Sequence, residues 1–131
     1  MLDHLGYNVS DMARSKAFYA AVLGALGYRI TRDFGVAVGF AVTEGAGKSS
    51  DAAGEFWIVQ GEPSKPGIHV AFSAATRSLV DAFHKAALAA GGTDNGAPGL
   101  RPQYHEHYYG AFIHDPDGYN IEAVCHMPLT P

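Results

Sequence analysis

Alternation opens the chain. Leu5, Tyr7 and Val9 fall on one side of an extended segment, and His4, Gly6 and Asn8 fall on the other. Beyond it, Phe18, Val22, Leu23 and Leu26 recur at three- and four-residue spacings, the period of a helix with one apolar face. Ser10 or Asp11 stands where the cap of that helix belongs, and Gly27 stands where it stops. Residues 28–32 predict a short strand. Val36, Val38, Phe40 and Val42 alternate with Ala37, Gly39 and Ala41 as a clearer one. Residues 43–54, rich in Gly, Ser, Ala and Asp, read as a hairpin loop, and 55–60 as the next strand.

The same order then returns after a connection that contains Pro63 and Pro66. Residues 69–73 predict a strand, 77–90 an alanine-rich helix ending at Gly91 and Gly92, 108–113 a strand and 119–125 the last strand. Asp115-Pro116-Asp117-Gly118 is a turn, and residues 93–102, with Gly96, Pro98, Gly99 and Pro102, read as a loop with room for a short strand absorbed in it. The recurrence has a fixed offset of 65: His4 matches His69, Phe18 matches Phe83, Leu23 matches Leu88 and Gly27 matches Gly92. Such self-similarity implies two copies of one supersecondary unit. The expected fold is α+β: two βαβββ modules, about 1–62 and 66–127, in one domain over 1–131. They form a cupped mixed sheet with helices on its outer face and a pocket on the other.

Composition narrows the partners. The 131 residues are 47% hydrophobic and 17% charged, which suits one folded core and excludes a disordered chain. A formal charge of -4 with no basic run gives a nucleic-acid interface no electrostatic basis. Cys125 is the single cysteine, so no internal disulfide forms. Asp3 and His4 interrupt any apolar leader, and no run is long enough to span a bilayer; a cytoplasmic protein without membrane contact is the expectation.

Parity then selects the chemistry. His4 and His69 lie opposite the bulky residues Leu5, Tyr7, Val70 and Phe72, so both should face the pocket if helices cover the bulky side. In the last strand Ile121 and Ala123 read as core, which turns Asn120, Glu122 and Val124 towards the pocket. Two neutral imidazoles and a carboxylate suit a divalent transition metal with open coordination positions; Zn, Ni, Fe, Mn and Co all fit. The offset maps Glu122 onto Trp57, whose indole cannot replace a carboxylate. Glu55 and Gln60 are the substitutes if the register slips near the glycine-rich loop. A pocket-facing Trp57 would stack on substrate or narrow the mouth.

His4 followed by Asn8-Val9-Ser10-Asp11, then Phe18-Tyr19, Leu23 and Leu26-Gly27, resembles the opening of the vicinal oxygen chelate family. Glyoxalase I, extradiol dioxygenases, fosfomycin-resistance enzymes and bleomycin-resistance proteins belong to that family. Residues 67–72 (Gly-Ile-His-Val-Ala-Phe) resemble its second-module opening, and residues 115–122 (Asp-Pro-Asp-Gly-Tyr-Asn-Ile-Glu) its closing strand. The resemblance covers almost the whole chain. It implies paired βαβββ modules, a homodimer, a small-molecule substrate, and His4, His69 and Glu122 as metal ligands. Glyoxalase I adds a first-module glutamate, where this chain has Trp57. The remaining His-His-Glu set is more like that of extradiol dioxygenases, which usually have longer, four-module chains.

Further candidates cluster in residues 101–109. If that segment is extended, His105 and His107 share one face, and Tyr104, Glu106 and Tyr108 the other. Glu122, His105, His107 or Tyr109 would act as acid, base or oxyanion donor. Trp57, Arg101, Tyr104, Tyr108 and Asn8 would line the substrate pocket, with the Arg101 fork holding a carboxylate or phosphate. The leading expectation is a divalent-metal-dependent, glyoxalase-like lyase or isomerase acting on a small substrate with adjacent oxygens. An iron-dependent extradiol-type dioxygenase and a non-catalytic drug-binding resistance protein are the alternatives. Metal content and metal-independent ligand binding separate them.

Overall fold

A computed structural model describes residues 2–45 and 47–129 of the chain. The end residues of the expected 1–131 domain and Ala46 of the expected hairpin loop lie outside the described residues. The first module runs β1 (Leu5–Val9), α1 (Met12–Gly24), β2 (Tyr28–Asp33), β3 (Ala37–Val42) and β4 (Phe56–Gln60). The second runs β5 (His69–Ser73), α2 (Arg77–Ala89), β6 (Thr93–Leu100), β7 (Tyr109–His114) and β8 (Asn120–Cys125). Each module forms a four-stranded mixed sheet with a flanking helix, ordered β1-β4-β3-β2 and β5-β8-β7-β6. The first and last strands of each module pair in parallel, and the other pairs are antiparallel.

The repeat extends to the chemistry of the helix ends. The Asp11 side chain accepts from the Arg14 amide and the Thr76 side chain from the Leu79 amide, so both caps satisfy an N–H left free by helix geometry. After each helix a glycine takes the left-handed conformation that side chains disfavour, at φ 94° for Gly27 and 97° for Gly91. The strand register keeps the offset too. Gly6 pairs with Trp57 and Ala71 pairs with Glu122, so Trp57 and Glu122 occupy equivalent positions. Glu55 and Gln60 therefore do not replace Trp57. The long loop of module one, 43–55, is matched by a short turn at 115–119, and the short link 34–36 by a long one at 101–108. With the longer β6, these differences nearly cancel before the last strand.

Most of the expected 93–102 loop is a strand. Residues 93–100 form β6, paired only with β7 and broken by register shifts on both sides of Gly96. Its glycines and Pro98 erase the apolar alternation, and an edge position tolerates a residue with no amide hydrogen.

The helix-facing sides of both sheets share one buried cluster, which includes Tyr7, Phe18, Phe56, Phe72, Phe83 and Ile121. Aromatic edges join the modules: Phe56 meets Phe72 at 5.3 Å and Tyr7 meets Tyr119 at 4.7 Å between ring centroids. Emptying one such ring site costs about 3–5 kcal/mol. The 115–118 turn adds a polar clasp. Asp115 Oδ2 accepts from the Tyr19 hydroxyl at 2.5 Å, while Oδ1 accepts the amides of Asp117 and Tyr119 at 2.9 Å. The Tyr119 hydroxyl reaches back to the Asn8 carbonyl at 2.8 Å. Burial pushes the Asp115 carboxyl pKa up against the opposing pull of those donors. Among the described residues no helix is long and apolar enough to cross a membrane.

Candidate functional site

Strand β8 sets the site by alternation. Ile121, Ala123 and Cys125 are buried on the helix side, so Glu122 emerges on the opposite face yet keeps only 2% exposure. β5 lies beside β8 in parallel and brings His69 opposite Asn120. His69 Nδ1 lies 3.0 Å from the Asn120 carbonyl oxygen. A carbonyl only accepts, so the neutral ring carries its proton on Nδ1 and leaves a lone pair on Nε2. That lone pair faces Glu122 Oε1 at 3.1 Å. Two acceptor atoms at this separation require a proton or a cation between them.

The pair fits a metal. Two donors bound at about 2.1 Å and at right angles on one ion are about 3 Å apart, and a backbone carbonyl on the other imidazole nitrogen fixes ring and tautomer. The second carboxylate oxygen, Glu122 Oε2, accepts from the Tyr108 hydroxyl. Burial, and then the Glu122 carboxylate, push the Tyr108 pKa well up, so this group stays a neutral phenol donor. Gly110 makes the contact possible, because a Cβ there would stand 3.1 Å from Tyr108 Cε1 and 3.3 Å from Glu122 Oε2. Phe112, opposite Glu122 in β7, stacks on the His69 ring at 6.2 Å.

Above the pair lies an open cavity of about 460 Å³. Tyr104, His105 and Tyr108 form one wall, and Phe112, Asn120 and His126 complete it with the His-Glu pair. Tyr108 is gripped by neighbouring rings, with Tyr104 at 4.8 Å, His126 at 5.2 Å and His105 at 5.5 Å. Its hydroxyl is thereby aimed at one carboxylate oxygen.

The structure brings together His69, Glu122, Tyr104, His105 and Tyr108 of the sequence candidates. It does not bring His4. That residue precedes β1 on the other sheet, has a side chain 62% exposed, and pairs with Asp3 at 2.8 Å. Among the described residues no three or more His, Cys, Asp or Glu side chains group as metal ligands. Within one chain His4 and His69 therefore stand apart, because the modules build separate sheets and each histidine belongs to its own module.

Local geometry places the other candidates away from this cavity. Residues 101–108 form successive turns, with the Tyr104 amide on the Arg101 carbonyl and the Tyr108 amide on the His105 carbonyl, so strand parity fails there. His107 turns out of the cavity to Glu106, 3.2 Å away. Tyr109 lies on the helix side of β7, donating to Asp81 at 2.6 Å with Arg77 over its ring. The Arg101 guanidinium is held by the carbonyls of Ala97 and Gly99 and lies over Phe112, outside the wall of the cavity. Asn8 donates to the Glu62 carbonyl on the first sheet. Trp57 also stays on that sheet, its Nε1 on the Gly54 carbonyl and its ring stacked with Phe34.

Two cavity residues escaped the sequence reading. His126 continues the Asn120, Glu122, Val124 alternation by one step, a signal that was present. Phe112 is placed by the β7–β8 register, which no local pattern reveals.

Comparison with known proteins gives a consistent picture. A family model described as Glyoxalase/Bleomycin resistance protein/Dioxygenase superfamily matches residues 1–123. The crystal structure of a glyoxalase/bleomycin resistance protein from Albidiferax ferrireducens T118 is similar at 30% identity, with a TM-score of 0.77, covering 94% of this chain and 97% of that one. A putative glyoxalase from Bacillus halodurans is similar at 26% identity and TM-score 0.66, with 95% of each chain covered. A glyoxalase/bleomycin resistance protein/dioxygenase family enzyme from Burkholderia phytofirmans PsJN shares the fold at 21% identity and TM-score 0.69, covering 96% of this chain and 98% of that one. Comparison with curated proteins gives no match.

Proposed function

Because this chain belongs to the glyoxalase/bleomycin resistance protein/dioxygenase superfamily, we propose that it is a divalent-metal-dependent, glyoxalase-like lyase or isomerase acting on a small substrate with adjacent oxygens. The observation that carries this reading is the His69–Glu122 pair, whose two acceptor atoms face one another 3.1 Å apart. His69 Nε2 and Glu122 Oε1 would hold the ion, and His4 of a second copy would supply a further nitrogen. A homodimer that pairs unlike sheets is supported by the first sheet's outer face, where Phe34 and Val36 are 66% and 65% exposed beside Trp57. When bound, the ion would polarise the substrate oxygens and stabilise negative charge developing on them.

The chain's own residues have distinct tasks in this reading. The Asn120 carbonyl keeps the His69 proton on Nδ1 and so keeps Nε2 free to bind. Tyr108 holds Glu122 by one oxygen and leaves the other for the ion. Its raised pKa suits it to donate at its hydroxyl rather than to abstract a proton. The rings of Tyr104, Tyr108 and Phe112 offer an apolar wall that limits water at the reacting atoms.

Trp57 favours a second reading. It stands where the symmetric site would have a carboxylate, which leaves two imidazoles and one carboxylate across two copies. That set suits an iron-dependent dioxygenase. Metal analysis of the purified protein, with His69→Ala and Glu122→Gln as controls, tests the shared premise. About one ion per chain, lost in both variants, supports it; no bound ion in the wild type after exposure to Zn, Ni, Fe, Mn and Co refutes it. Oxygen uptake with an aromatic diol, dependent on iron, would select the second reading over the first.

A further inference from the structure

His105 and His126 meet at the rim of the cavity, His105 Nε2 lying 2.8 Å from His126 Nδ1 with the rings stacked at 5.1 Å. His105 Nδ1 meanwhile accepts the backbone amide of His107 at 3.1 Å. An amide N–H can only donate, so Nδ1 of His105 carries no proton. Neutral His105 therefore carries its proton on Nε2 and donates it to Nδ1 of His126. Neutral His126 in turn carries its proton on Nε2. A single backbone amide thus fixes both tautomers and gives the chain of bonds one direction.

We propose that this pair is a proton-operated latch on the 101–108 turn, closed when both rings are neutral and opened by the first added proton. Every lone pair within the chain of bonds is already engaged. A proton placed on His105 Nδ1 displaces the His107 amide directly. One placed on His126 Nδ1 meets the Nε2 proton of His105 and drives the latter ring to its Nδ1–H form, with the same loss. Either route leaves the His107 amide without its acceptor. A second proton sets two like charges against each other and parts the rings. The titratable groups facing the pair are Tyr104 and Tyr108 on the same turn, and His69 and Glu122 across the cavity.

The turn also carries Tyr108, whose ring lies against both imidazoles and whose hydroxyl holds Glu122. Opening the latch therefore loosens the wall of the site from its rim inward. Imidazole is the side chain that changes charge between about pH 5 and 8, which is the range to be searched. It goes beyond the metal-enzyme reading and does not require it.

The test is nitrogen-15 NMR of the imidazoles, with amide exchange, on the metal-free full-length protein. At about pH 8 both rings are expected as Nε2–H tautomers, and by about pH 5 protection of the His107 amide is expected to fall by about tenfold or more, the loss of one hydrogen bond. His105→Phe should leave that amide unprotected throughout. His126→Asn keeps an acceptor oxygen near the Nδ1 position but cannot take up the proton, so opening should move to lower pH. An Nδ1–H tautomer of His105 at the higher pH, unchanged His107 protection, or opening of His126→Asn at the wild-type pH would overturn the proposal. Because no metal is present, failure here is distinct from failure of the proposed enzyme.

Discussion

Replacing Glu122 with glutamine should make the metal-free protein more stable and the metal-loaded protein relatively less so. Glu122 is 2% exposed, one of its oxygens faces His69 Nε2 across a gap that needs a proton or a cation, and its one hydroxyl donor is Tyr108. A hydrogen bond to a charged group contributes about 1.5–3 kcal/mol, whereas burying the carboxylate costs several kcal/mol. Glutamine removes the charge. Its carbonyl oxygen still accepts from Tyr108, and its amide donates to His69 Nε2, so both contacts become complementary. A net gain of about 1 kcal/mol follows, or about 3 °C in Tm for a chain of this length. Metal at a hundredfold excess over its Kd adds about 2.7 kcal/mol to the wild type and nothing to a variant that cannot bind it. The order of stability should therefore reverse. Urea and thermal unfolding of both proteins, in chelator and in added Zn, read the effect. A variant less stable than wild type in chelator, or a wild type that Zn does not stabilise, would refute the reasoning.

Other perturbations probe separate links. Tyr108→Phe removes the donor that orients Glu122 and should weaken metal binding about tenfold, as outer-shell partners do, in a competitive chelator titration. Asp115→Ala removes the acceptor of the buried Tyr19 hydroxyl and of the Asp117 and Tyr119 amides and should cost about 3 kcal/mol in urea unfolding. The raised Asp115 pKa also sets a pH trend. The folded state holds that proton more tightly than the unfolded chain, so its stabilisation is present at low pH and lost as pH rises from the ordinary carboxylate range through the raised value. Asp115→Asn, which cannot ionise, should lack this decline when unfolding is followed against pH. Gly39→Ala would place Cβ 2.8 Å from the Ala53 carbonyl oxygen and from the Trp57 ring, costing about 2 kcal/mol and shifting the fluorescence of the chain's single tryptophan.

Most of the fold was legible because the repeat supplied a second reading of every element. The offset between His4 and His69 also relates the caps Asp11 and Thr76, and the equivalent strand positions of Trp57 and Glu122. Parity placed Glu122 and Asn120 on the open face, since β8 is regular and covered on one side. Parity failed for Tyr104 to Tyr109, where the chain turns instead of extending, and a strand rule applied to turns assigns faces at random. β6 was hidden because an edge strand with Gly96, Pro98 and Gly99 carries no alternating pattern. His4 illustrates a different limit. Its residue type and equivalence to His69 were readable, but the sheet-to-sheet distance within one chain is tertiary information that no local pattern contains.

The most direct test of the proposed centre mixes two inactive proteins. If His69 and Glu122 of one copy share an ion with His4 of another, His4→Ala and Glu122→Gln proteins should each bind metal poorly. After unfolding and refolding together, each mixed dimer should regain one intact centre, so metal binding returns to about a quarter of the wild-type amount for random pairing. Mixed samples that bind no more metal than the separate variants would contradict a centre built from two copies.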